Sequence, residues 1–226
     1  MYVSSLRDLG VWLDTKLTFA EHINLTVSKA DRALGVMIRS LQTGQAAGGL
    51  RVEPILAAYF GNIRSVLEYG CVIWGGAAKT HLERLDKIQH KFLIWLSTKT
   101  CTSQPPHSLA YKDPLVSFNA TSLTNRRFQY DTLFAHKIIS GHVDTADLLG
   151  NFPLHVPARP TRARTTTLFH VPFARVECVK RGFFCRAAGA INRFLSANPS
   201  SDPFYHSHGV FRAHVSRYVR QAGDIS

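Results

Sequence analysis

Between positions 19 and 97, apolar residues recur at helical spacing in three successive stretches. No other feature constrains the fold as much. Ile23, Val27, Ala30, Leu34, Ile38 and Leu41 stand three or four residues apart, a repeat that lines up one stripe of an α-helix. A second helix is predicted over about 53–69, where Ile55, Tyr59, Ile63, Val66 and Leu67 repeat and Pro54 falls in the tolerant first turn. A third is predicted over about 81–97, with Leu82, Leu85, Ile88, Phe92, Trp95 and Leu96 facing inward. Gly44, Gly48 and Gly49 separate the first two, and "GCVIWGG" separates the second from the third. Three amphipathic helices with short connections predict a small bundle, with Trp12, Trp74 and Trp95 as core.

The stretch before the bundle, "LGVWLDTKLTFAEHI", reads as a strand and then a helix start. Leu9, Val11 and Leu13 alternate with Gly10, Trp12 and Asp14, the period of a strand. Thr18 with Glu21, and later Thr80 with Glu83, fit the Ser/Thr-x-x-Glu capping box. A lone strand is barely stable, and only eight residues precede this one, so it is expected to lack a partner of its own. After the bundle, 98–120 reads as loop, with Pro105, Pro106 and Pro114. A helix is predicted over about 122–140, stopping at Gly141, and a short one after Asp144. Pro153, Pro157, Pro160 and Pro172 forbid a long helix over 152–175. There "TTTLFHV" has the propensity of a strand but also suits a threaded loop. Further helices are predicted at 177–196 and 204–220. The fold class is therefore mainly α.

Charge narrows the choice of partner. The 226 residues carry 27 Lys and Arg against 15 Asp and Glu. Residues 1–150 hold 16 basic and 12 acidic, while 151–226 hold 11 and 3. An excess of positive charge gathered in the last third points to a polyanion, nucleic acid ahead of an anionic membrane surface. A soluble basic protein with no such partner is the plain alternative. The most apolar window, Val66 to Ala78, is too short to span a bilayer and contains Glu68. Met1 to Leu13 carries Arg7 and Asp8 and no apolar run, so no secretory signal is expected there. Cys71, Cys101, Cys178 and Cys185 are scattered, so free thiols in an intracellular compartment, cytoplasmic or nuclear, are expected.

Catalytic signatures are missing from the sequence. It has no Gly-rich phosphate loop, no H-E-x-x-H and no G-x-S-x-G. No two acidic residues are adjacent, so the usual two-metal carboxylate pattern is absent. Cys178 and Cys185 with His206 and His208 are a conceivable ligand set. Structural zinc pairs its cysteines two to four residues apart, however, and Phe183 and Phe184 beside Cys185 suggest packing. No metal and no cofactor is expected. His22, His81 and His90 read as ordinary surface or boundary residues.

The order of segments carries a resemblance. "LGVWLDTKLTFAEHI", "SKADRALGVM", "SVLEYGCVIWGG" and "LERLDKIQHKFLIWL" resemble the region after the catalytic palm in reverse transcriptases of non-LTR (LINE-type, jockey-like) retrotransposons. That family shows a y-L-G-v-x-L-D strand, l-T-f-x-x-H-I, i-L-e-Y-g-x-x-v-W and l-e-x-i-Q-x-k-x-l in this order. "SLTNRRFQYDTLFAHKIISG", "PARPTRARTTTLFHVPFARVE" and "INRFL" are similar to its C-terminal tail. Asp8 stands where the family usually has an aromatic.

The resemblance implies four parts: a residual palm-edge strand over 1–18, a thumb-like helical bundle over 19–100, a connecting loop and helix over 101–150, and a basic C-terminal region over 151–226, α-rich with an irregular Pro/Arg segment. It also implies that the palm aspartates lie upstream. Asp14, Asp31, Glu53 and Glu68 are spread over separate elements, so this chain is not expected to act as an enzyme by itself. A thumb grips nucleic acid through phosphates, which position without reading sequence. RNA or an RNA–DNA hybrid is the implied partner. The candidate contacts are Lys29, Arg32 and Arg39 on the first helix, and Arg84, Lys87 and Lys91 on the third. Arg159, Arg162, Arg164, Arg175, Lys180, Arg181 and Arg186 follow in the tail, where one acid, Glu177, accompanies them. Solvated helix faces explain the first six equally well. Phe169, Phe173, Phe183 and Phe184 are either core or stacking platforms for unpaired bases. Two other readings stay open. One is a non-enzymatic protein-interaction module, docking the palm or another chain through an apolar face. The other is a product of a decayed element with no function.

Overall fold

The computed structural model describes residues 5–43, 51–100, 112–143, 146–156 and 167–221. The fold is mainly helical with one small sheet. The chain divides into two compact units, the first comprising 1–71 and 77–123 and the second 72–76 and 124–226.

In the first unit, β1 (Ser5–Asp8) pairs antiparallel with β2 (Val11–Asp14), Arg7 opposite Trp12 and Leu6 opposite Leu13. The expectation of an unpartnered strand is thus overturned, because the eight preceding residues supply the partner. The two-residue turn Leu9–Gly10 has φ of 43° and 87°, the doubly left-handed geometry that matches strand twist in a hairpin. The Tyr69 hydroxyl donates to the Leu9 carbonyl at 2.7 Å and braces that turn.

Helix α1 (Ala20–Thr43) follows. The predicted capping box is not what starts it. Asp14 accepts from the Lys16, Thr18 and Phe19 amides and from the Thr18 hydroxyl, at 2.8–3.0 Å. The Thr18 N–H that Glu21 would have taken is therefore already occupied. Burial by itself would raise the Asp14 pKa, but these hydrogen bonds outweigh it and hold the carboxyl below its ordinary value.

Helix α2 (Val52–Tyr59) runs through a wide π turn at Phe60–Arg64 into α3 (Ser65–Glu68). Ile55, Tyr59, Ile63 and Leu67 are all buried, each four residues from the last. A repeat of four overshoots the 3.6-residue turn, and the wider π turn lets Ile63 and Leu67 keep facing inward. A single turn, α4 (Cys71–Trp74), precedes α5 (Lys79–Thr100). Helix α5 begins before Thr80, with the Ala78 carbonyl accepting from His81 and Leu82, so the second capping box is not used either. The core joins Ile23, Ala30 and Leu34 of α1 to Leu85, Phe92, Leu93 and Leu96 of α5. Tyr59 stacks on Phe92 with centroids 3.9 Å apart. Trp12 and Trp95 are half-buried. A short helix, α6 (Lys112–Ser117), lies in the stretch expected to be loop. Gln89, fully buried on α5, donates to the Thr121 carbonyl at 2.9 Å.

The second unit is built on α7 (Leu123–Ile139), α10 (Phe183–Ala197) and α11 (His208–Gln221), with single turns α8 (Ala146–Leu149) and α9 (Glu177–Lys180). The helix predicted at 177–196 is split at Gly182, whose backbone is extended (φ −60°, ψ 158°). Phe128, Ala135, Ile138, Ile191, Phe194, Phe211 and Val215 form the core. Of "TTTLFHV", the described residues 167–171 form an extended thread rather than a strand in a sheet. It makes one bridge, Phe169 to Leu154, and Asn192 of α10 clamps it by accepting from Leu168 and Phe169 N–H and donating to the Phe169 carbonyl at 2.7–3.0 Å. Trp74 is fully buried but belongs to this unit, not to the N-terminal bundle as expected.

Candidate nucleic-acid interface

The first unit contains a groove of about 700 Å³ between the hairpin, one face of α1 and the end of α3. From α1 come His22, Lys29 and Arg32, on a face distinct from the buried stripe of Ile23, Ala30 and Leu34. The hairpin contributes the cross-strand pair Arg7 and Trp12. Tyr69, 57% exposed, closes the side. Gly10 lines it too, at a left-handed turn position where an added Cβ would sit 3.4 Å from the Tyr69 ring. Among the described residues no carboxylate lines this groove. Burial lowers the His22 pKa, so its ring is neutral at pH 7. The positive field comes from Arg7, Lys29 and Arg32. Arg32 uses Nε on the Ser28 carbonyl at 3.2 Å, which fixes its stem on the helix. Three cations beside two aromatic rings, with no acid, is an arrangement suited to a phosphate chain carrying flat bases.

The other predicted contacts are placed differently. Arg39 is exposed further along α1. Arg84 is half-buried and bonded to the Asn24 side chain, and Lys91 pairs with Asp31 at 2.7 Å, so both are engaged in fastening α5 to α1. Lys87 is exposed. In the second unit, Arg175 is exposed, while Lys180 and Arg181 both lie against Glu177, at 3.8 and 3.0 Å. Arg159, Arg162 and Arg164 lie outside the described residues. Arg186 is a part of the fold. Its guanidinium grips both Asp131 oxygens at 3.0 and 3.1 Å, the Val72 carbonyl at 2.9 Å and the Arg181 carbonyl at 2.6 Å. Those donors are not available to phosphate. Of the four phenylalanines, Phe169 is buried, Phe183 and Phe184 pack on the core, and Phe173 is 88% exposed.

Sequence reasoning placed Lys29 and Arg32 but missed Arg7, Trp12 and Tyr69 as groove residues. The pairing of Arg7 with Trp12 would have followed from recognising the hairpin. Among the described residues no group of three or more His, Cys, Asp or Glu is arranged to hold a metal ion. Cys178 is exposed and Cys185 buried, both as free thiols, and His208 contacts His136 instead. Among the described residues no helix is long and apolar enough to cross a membrane. No family model, curated protein or solved structure matches the chain.

Proposed function

We propose that this chain binds nucleic acid as the thumb and tail of a non-LTR retrotransposon reverse transcriptase, and holds RNA or an RNA–DNA hybrid inside the cell without polymerising on its own. The observation that carries the reading is the groove in which Arg7, Lys29 and Arg32 stand beside Trp12 and Tyr69, with no carboxylate among the described lining residues. Phosphate binding by such a groove releases counterions, so affinity falls steeply with salt. The absence of an adjacent acidic pair anywhere in the sequence supports the non-catalytic part, since strand extension needs two metals on clustered carboxylates.

The test is fluorescence anisotropy with a labelled RNA–DNA hybrid and a labelled single-stranded RNA over a salt series. Each lost phosphate contact lowers the salt slope by roughly 0.7–0.9. Replacing Arg7, Lys29 and Arg32 together by Gln is expected to lower it by about 2–3. An unchanged slope in a correctly folded triple variant would sink the reading.

A second reading, docking of another protein segment, draws on the hairpin. Leu6 and Leu9 are 61% and 85% exposed there, on a sheet of only two strands. Self-association that Leu6→Lys abolishes, with polynucleotide binding absent, would favour it.

A further inference from the structure

We propose that the histidines gathered where α11 meets α7 form an acid-sensitive latch, which keeps the first turn of α11 on the end of α7 while neutral and releases it on protonation. His136, fully buried in α7, lies flat against Phe211 of α11, with centroids 4.1 Å apart and planes 16° apart. Its Nδ1 is 3.2 Å from Nδ1 of His208, the first residue of α11. Two ring nitrogens at that distance bond only when one bears a proton and the other a lone pair. With both rings cationic, two N–H groups face each other and the bond becomes a repulsion.

The surroundings offer little to neutralise added charge. His142, just past α7, has its ring 5.9 Å from His208 and its Nδ1 2.8 Å from the Ser140 hydroxyl. Lys137 of α7 and Arg212 of α11 place further positive charge on His208. On the segment leading into α11, the His206 ring accepts the Asp202 N–H at 3.0 Å and stands 5.2 Å from His214, which bonds Ser201. The carboxylate of that segment, Asp202, accepts the Phe204 N–H and no ring N–H among the described residues. Burial first, then the charge on His208, brings His136 down to about 4, although the His206 and Pro203 carbonyls pull it partly back. Burial and the same cations lower His208. The latched state therefore binds fewer protons than the released one. Latching is complete above the ordinary histidine value of 6.5 and is lost as pH falls toward about 4.

Hydrogen–deuterium exchange of the full chain between pH 7.5 and 4.5, corrected for intrinsic rates, reads the latch directly. Opening of α11 is expected to rise up to about tenfold per pH unit for each proton taken up, while α5 stays unchanged. His208→Asn is expected to flatten that rise. If the variant misfolds, an NMR titration of the native chain decides instead, with a His136 midpoint well below 6.5 expected. Exchange in α11 that ignores pH, an equal rise in His208→Asn, or a His136 midpoint at 6.5 would overturn the proposal.

Discussion

Replacing Arg186 by Met probes the most heavily bonded side chain of the second unit. Methionine keeps most of the buried stem and deletes the guanidinium. The carboxylate left behind, Asp131, has a side chain only 8% exposed. Burial raises its pKa even in the native protein, and Arg186, with some help from Arg127, only partly offsets that. Removing one partner of a buried pair costs about 3–5 kcal/mol. The Val72 and Arg181 carbonyls also lose their donor, so the loss is expected at or above about 3 kcal/mol. The cost also carries a pH signature. In the variant the folded pKa of Asp131 moves further above its unfolded value. That stability is intact below the unfolded pKa and is lost as pH rises toward the folded one. The difference between variant and native protein therefore shrinks by up to about 1.4 kcal/mol per unit as pH falls from the variant's folded pKa to the native one, itself above the ordinary carboxyl value. Urea unfolding followed by Trp74 fluorescence measures it. Trp74 is the tryptophan of the second unit, so a background with Trp12 and Trp95 changed to Phe isolates its signal. A loss below about 1 kcal/mol at pH 7, the size of an exposed pair, would refute the reasoning. So would a loss that stays the same at every pH at which both proteins fold.

Two other substitutions give equally direct outcomes. Asp14→Ala removes the acceptor for three amides and a hydroxyl at the start of α1. It is expected to cost about 1–3 kcal/mol in thermal or urea unfolding, and because the native pKa is lowered, that advantage is present at neutral pH and disappears as the native protein is acidified through the folded pKa. Gly76→Ala would place a Cβ 2.0 Å from the Arg181 carbonyl oxygen. A backbone shift costing about 1–3 kcal/mol or more is expected, read as a lower melting temperature, and an unchanged one would show that this contact yields freely.

The long helices were legible because burial and periodicity agree in them. α5 and α7 appear within three residues of the predicted ends, and the deepest side chains of α1, α5 and α7, Leu34, Phe92 and Ile138 among them, face inward. The hairpin was not legible, because Leu9 occupies a left-handed turn position that bulky residues avoid. Without the turn, β1 could not be seen, and with it went the Arg7–Trp12 pair. Both capping boxes matched in spelling, but Asp14 takes the Thr18 amide at the first, and at the second the helix already begins at Lys79. Arg186 read as one more cation in a basic tail. Its partner stands 55 positions earlier, and only the folded chain brings the two together.

Residues 72–76 belong to a unit whose remainder follows much later in the chain, and this has a consequence in time. The first unit resumes at Ala77, so the chain visits the second unit, leaves it and returns only at Thr124. The Val72 carbonyl and its donor on Arg186 are 114 residues apart. At roughly 5–20 residues per second of synthesis, the Val72 carbonyl exists for several seconds or longer before its donor on Arg186 has been made. A nascent chain must therefore carry that carbonyl without its Arg186 donor through the interval, and a clone cut anywhere between 77 and 123 would keep residues 72–76 while lacking the rest of their unit.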